Sequence, residues 1–84
     1  MTNEERKYAK MLGQRISNAR KNMMMSQHEL SRKSGVSQST ITRIEAGKII
    51  PNIVTVTKLH DVLGFFIPSM NDAIHNTADP WRIV

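Results

Sequence analysis

Ser37, Gln38, Ser39, Thr42, Arg43 and Ala46 fall on one side of any helix that turns Ile41 and Ile44 into a core. They are short polar or small groups plus one amide and one guanidinium. An amide can pair with N6 and N7 of adenine, a guanidinium with O6 and N7 of guanine, and a methyl-bearing group can touch thymine. Small neighbours matter because a helix must lie deep in a groove for such groups to reach base edges. No acid shares this side to repel phosphates. Glu45 is the only acid on the stretch, and its spacing points elsewhere. Taken alone, the same residues also suit an ordinary solvated face, so the surrounding pattern has to decide.

That pattern is a series of short capped helices. Thr2 and Glu5 have capping-box spacing, and Tyr8, Leu12, Ile16, Ala19 and Met23 then recur at intervals of three and four as one apolar stripe. Gly13 interrupts it at a cost of about 1 kcal/mol against Ala. This predicts a looser leading turn over residues 3–10 and a firm helix from near Met11. Ser26 and Glu29 repeat the capping-box spacing ahead of a short helix anchored by Leu30 that stops at Ser34-Gly35. Gly35 suits the left-handed conformation of a sharp helix-to-helix turn, and Val36 pins that turn to the core. Ser37 caps the helix bearing Ile41 and Ile44, and Gly47 ends it. After Pro51, Asn52 caps a fourth helix through Leu63, with Ile53, Val56, Leu59 and Leu63 as its buried stripe. Ser69 with Asp72 starts a short fifth helix covering Met70, Ala73 and Ile74, and 76–80 reads as loop.

The expected organisation is all-α: a leading extension or helical turn over 1–10, one domain carrying the short capped helices over 11–76 and a tail over 77–84. Eighty-four residues support only one core. With four aromatics, that core rests on Leu, Ile, Val and Met. There is no cysteine, which excludes disulfides and cysteine-held zinc. No apolar run approaches the roughly 20 residues of a bilayer span, and the start, Thr2-Asn3-Glu4-Glu5, is unlike a secretory signal. A cytoplasmic protein is expected. The net charge is +5, and residues 1–63 carry eleven basic against five acidic groups, or +6. A basic body suits either a polyanion-binding face or a solubilising surface.

Several motifs, in order and spacing, resemble the phage repressor and Cro family of helix-turn-helix proteins, the XRE family. They are Leu12-Gly13-Gln14-Arg15-Ile16, Ser26-Gln27-His28-Glu29-Leu30, Ser34-Gly35-Val36-Ser37-Gln38-Ser39-Thr40-Ile41 and Arg43-Ile44-Glu45-Ala46-Gly47-Lys48, within roughly residues 11–64. The resemblance implies a five-helix, lambda-repressor-like fold that binds operator double-stranded DNA as a homodimer, its third helix in the major groove. By position it implies base contacts from Ser37, Gln38, Ser39, Thr42 and Arg43, with Gln38 the leading amide and Arg43 equally suited to a phosphate. It implies phosphate contacts around Ser26, Gln27, Lys48 and Asn52, with Gln27 bridging backbone and recognition helix. It also implies a buried ion pair between Arg20 and Glu45; from spacing alone the two read equally as a loose surface pair.

The chain departs from that family pattern at four positions, one of them Ser39, which follows Gln38 where a second amide would stand. Met24 stands where the family often has glycine, and a left-handed Met costs about 1 kcal/mol or more, so a differently built turn is expected there. Ser31 and His60 replace small apolar residues, and His60 is expected to pack partly buried. His28, His60 and His75 share no ligand spacing, so no metal site is expected. Met23-Met24-Met25 reads as packing, with Met25 at a core leucine position. No nucleophile, phosphate loop or carboxylate pair argues for catalysis, and no cofactor is expected. Phe65, Phe66, Ile67 and Trp81 suit either the monomer core or, preferably, a dimer or partner interface. A homodimeric repressor is the leading expectation. The alternatives are an antitoxin that autoregulates its operon and holds a protein partner through its tail, and a scaffold turned to non-specific nucleic-acid or coactivator binding.

Overall fold

The computed structural model describes residues 1–64. Four helices account for most of them: α1 (Asn3–Asn22), α2 (Gln27–Ser34), α3 (Gln38–Glu45) and α4 (Ile53–Leu63). No strand occurs among the described residues. The expected fifth helix, the tail and Phe65, Phe66, Ile67 and Trp81 lie outside them.

Each helix starts at a side-chain cap that satisfies an otherwise orphaned backbone N–H. Thr2 accepts from the Glu5 N–H at 3.1 Å while the Glu5 carboxylate accepts from the Thr2 N–H at 2.7 Å, a complete capping box. Ser26 accepts from the Glu29 N–H at 3.0 Å, but Glu29 does not complete a box. Its carboxylate turns towards Lys33, 3.8 Å away. Ser37 and Asn52 accept from the N–H groups of Thr40 and Thr55 at 3.3 and 2.9 Å.

The leading turn is not loose. Helix α1 runs unbroken through residues 3–10, with Tyr8 and Ala9 buried. The Gly13 position reflects packing and does not end the helix. A Cβ there would overlap the Ile44 carbonyl oxygen and lie 3.2 Å from the Glu45 backbone. Gly13 thus lets the C-terminal end of α3 sit directly against α1, which offsets its low helix propensity.

The core is a single cluster of Tyr8, Leu12, Ile16, Met25, Leu30, Val36, Ile41, Ile44, Leu59 and Leu63. Helix α3 packs against α1 and α2, and α4 against α2 and α1. Three packing expectations fail, two of them at element ends. Met23 caps the C-terminus of α1 half-exposed, so the stripe stops one turn earlier. Ile53 is 76% exposed, and only Leu59 and Leu63 of its stripe are buried. His60 is exposed, with Nδ1 3.9 Å from Asp61, instead of packing. For Met23 and Ile53 the helical period continues beyond the neighbour that covers it, whereas His60 lies within α4, between buried Leu59 and Leu63, on the exposed side of the helix.

The α1–α2 turn also differs from the one expected. Met24 adopts left-handed dihedrals (φ 57°), the only non-glycine to do so among the described residues. The turn keeps the backbone a glycine would favour, and the Met24 side chain stands 91% exposed, where its bulk meets nothing.

Candidate nucleic-acid interface

The interface is built around α3. Ser37 fixes its start, and the turn before it is tied by Gly35 in left-handed backbone (φ 79°) and by the Val36 N–H donating to Ser34 Oγ at 3.1 Å. Ile41 and Ile44, fully buried, set the rotation of the helix. Ser37, Gln38, Ser39, Thr42, Arg43 and Ala46 are all exposed. The rotation set by two isoleucines therefore displays one continuous polar side.

Not all of these groups are equally available. The Ser37 hydroxyl accepts from the Thr40 N–H and donates to Thr40 Oγ1 at 2.8 Å, so it is engaged in the cap. The Thr42 hydroxyl lies 2.8 Å from Gln27 Oε1 and 2.9 Å from the Gln38 carbonyl. Ser26 and Asn52 have their side-chain oxygens committed to capping at the starts of α2 and α4. Lys48 is exposed just beyond α3. The backbone also brings Lys10 close: a Cβ at Gly47 would lie 3.0 Å from Lys10 Cγ. Lys10 was not expected here from the sequence, because its proximity depends on how α1 crosses α3.

Beneath the exposed side, a polar network fixes α3 to α1 and α2. Arg20 Nε and Nη2 donate to Glu45 Oε2 and Oε1, each at 2.8 Å, and Arg20 Nη1 donates to the Met25 carbonyl at 2.8 Å. The two side chains are 11% and 7% exposed. Gln27 Nε2 donates to Glu45 Oε1 at 3.1 Å, and Ser17 also donates to this carboxylate. Burial pushes the Glu45 carboxyl up, but the hydrogen bonds from Arg20, Gln27 and Ser17 and the Arg20 charge outweigh it. Glu45 is therefore held below its ordinary value, while its bond raises the Arg20 guanidinium. The acid on α3 is thus neutralised from below and presents no carboxylate to an approaching polyanion. Ser17 was missed from sequence, although a polar residue one turn before Arg20 on the inner face of α1 was the available signal.

A helix-turn-helix family profile matches residues 16–65, more than half of the chain, including α2, α3, the Arg20–Glu45 pair and the start of α4. The chain belongs to the XRE-family helix-turn-helix proteins. Members of this helix-turn-helix family are sequence-specific DNA-binding transcription regulators and not enzymes. Comparison with curated proteins gives no match. Among the described residues of this helix-turn-helix protein, no group of three or more His, Asp or Glu side chains is placed to hold a metal, and no helix is long and apolar enough to cross a membrane.

Proposed function

We propose that this chain is a transcriptional repressor of the phage repressor and Cro type, binding a palindromic operator as a homodimer with α3 in the major groove. The observation that carries the reading is the exposed side of α3, polar throughout, with its one acid turned inward onto Arg20. Gln38, Ser39, Thr42 and Arg43 read bases, and Ser37 contributes mainly by fixing the first turn. The starts of α2 and α4, at Ser26-Gln27 and Asn52, offer backbone N–H groups to phosphates. Gln27 keeps one amide proton without a protein acceptor among the described residues, which suits a phosphate oxygen. Lys48, with Lys10 beside it, supplies sequence-independent attraction.

The homodimer reading draws support from Ile50, just before α4, and Ile53 and Val54 in its first turn, all exposed apolar residues. Two copies joined near there would present two α3 helices to half-sites about one helical turn apart. Gel-shift titration against operator and random duplexes tests the assignment. Gln38→Ala or Arg43→Ala lowers operator affinity about tenfold or more while weak non-specific binding survives. Unchanged discrimination in both variants contradicts it.

A further inference from the structure

Resting on the DNA-binding reading, we propose that Thr42 is a one-way reader: it accepts a hydrogen bond from a base amine in the major groove and donates none. The proposal follows from where its single hydroxyl proton has to point. Glu45 is ionised and held by two bonds from Arg20, so its oxygens only accept. The end of Gln27 that approaches Glu45 Oε1 at 3.1 Å must therefore be the amide nitrogen. This fixes the amide the other way round at its far end, where Oε1, an acceptor only, meets Thr42 Oγ1 at 2.8 Å. The second polar atom within reach of Thr42 is the Gln38 carbonyl oxygen at 2.9 Å, again only an acceptor. Whichever of the two receives the proton, it faces the protein. The side of the oxygen turned to solvent carries a lone pair, with the γ-methyl beside it.

An ordinary serine or threonine hydroxyl rotates and pairs with donor or acceptor alike, so it discriminates weakly. With its proton committed inward, Thr42 distinguishes the exocyclic amines, N6 of adenine and N4 of cytosine, from the acceptors O6, N7 and O4. Gln38, one turn earlier, and Arg43 supply the donors on the same helix. Thr42 complements them with an acceptor whose polarity is set from the buried Arg20–Glu45 pair through Gln27.

The test uses the full chain and an operator selected from random duplexes. Each adenine of a half-site is replaced in turn by 2-aminopurine, which still pairs with thymine but has no major-groove amine. Each cytosine is replaced by a pyrimidinone lacking the N4 amine. At one position the wild-type protein loses about fivefold in affinity, the worth of one net hydrogen bond. Thr42→Ser, which keeps the hydroxyl and both inward acceptors, loses the same. Thr42→Val is indifferent to that replacement, and Thr42→Ala repeats the comparison with a better helix former. Equal sensitivity of wild type and Thr42→Val at every position overturns the proposal. So does coupling of Thr42 to a purine N7, detected with 7-deazapurines. Failure to select any motif overturns the DNA-binding reading itself, and this assignment with it.

Discussion

Arg20 grips Glu45 with two parallel bonds of 2.8 Å, joining α1 to α3 across twenty-five residues of chain. The pair lies directly beneath the exposed side of α3 and is almost wholly shielded from water. Removing one partner strands the other charge in a dry site. Arg20→Ala or Glu45→Ala is expected to lower the unfolding free energy by about 3–5 kcal/mol. The paired apolar replacement Arg20→Met with Glu45→Leu loses clearly less than the two single variants added together. Urea unfolding followed by circular dichroism measures both. Additive losses would show the bond to be incidental.

The same pair makes stability depend on pH in a defined direction. The folded carboxyl of Glu45 lies below its ordinary value of 4.5, so the folded state binds its proton less readily than the unfolded chain. The resulting stabilisation is complete above about pH 5.5. It declines as the pH falls through 4.5 and is lost once the pH is below the folded value. Glu5, lowered by its bonds to Thr2, contributes in the same sense from an exposed site. Acid unfolding curves for wild type and Glu45→Gln separate the two. The variant is less stable at neutral pH, and its stability falls less steeply between pH 5 and 3. An unchanged slope would place the linkage elsewhere.

Gly13→Ala offers a test of packing against propensity. Alanine is the better helix former by about 1 kcal/mol, and α1 is continuous at this point. Its Cβ nevertheless collides with the Ile44 carbonyl, an unyielding backbone atom. The substitution is expected to destabilise by about 1–3 kcal/mol. A rise in Tm would contradict the close approach of α1 and α3.

Met24→Gly runs the other way. The side chain is 91% exposed and its backbone left-handed, so little apolar burial is lost when it is removed. A gain of about 0.5–1 kcal/mol is expected, the left-handed penalty of about 1–2 kcal/mol less the extra chain entropy of glycine. Thermal unfolding checks it, and a lowered Tm would mean that the exposed methionine has a partner in solution.

Thr2, Ser26, Ser37 and Asn52 were legible as caps because a cap is satisfied within three residues. Ile41 and Ile44 were legible because one short period sets the rotation of α3. Ile53 and Met23 misled because a periodic stripe does not announce where its covering neighbour ends. Gly13 misled because its reason is a contact with a backbone thirty-one residues away, and local propensity registers only the deficit. His60 followed the positional expectation of the family, yet stands exposed beside Asp61. The resemblance implied that Gln27 bridges to the recognition helix, but its partners there, Glu45 and Thr42, needed three dimensions, since no spacing in sequence selects them.

Entry of the exposed side of α3 into a duplex groove is measured most directly by selecting bound duplexes from a random pool. Wild-type protein is predicted to enrich a two-fold symmetric motif with half-site centres about ten base pairs apart. Gln38→Ala, carried through the same selection, is predicted to lose information at one or two positions in each half-site and to keep the spacing. Enrichment of an identical motif by the variant, or of none by the wild-type protein, would contradict it.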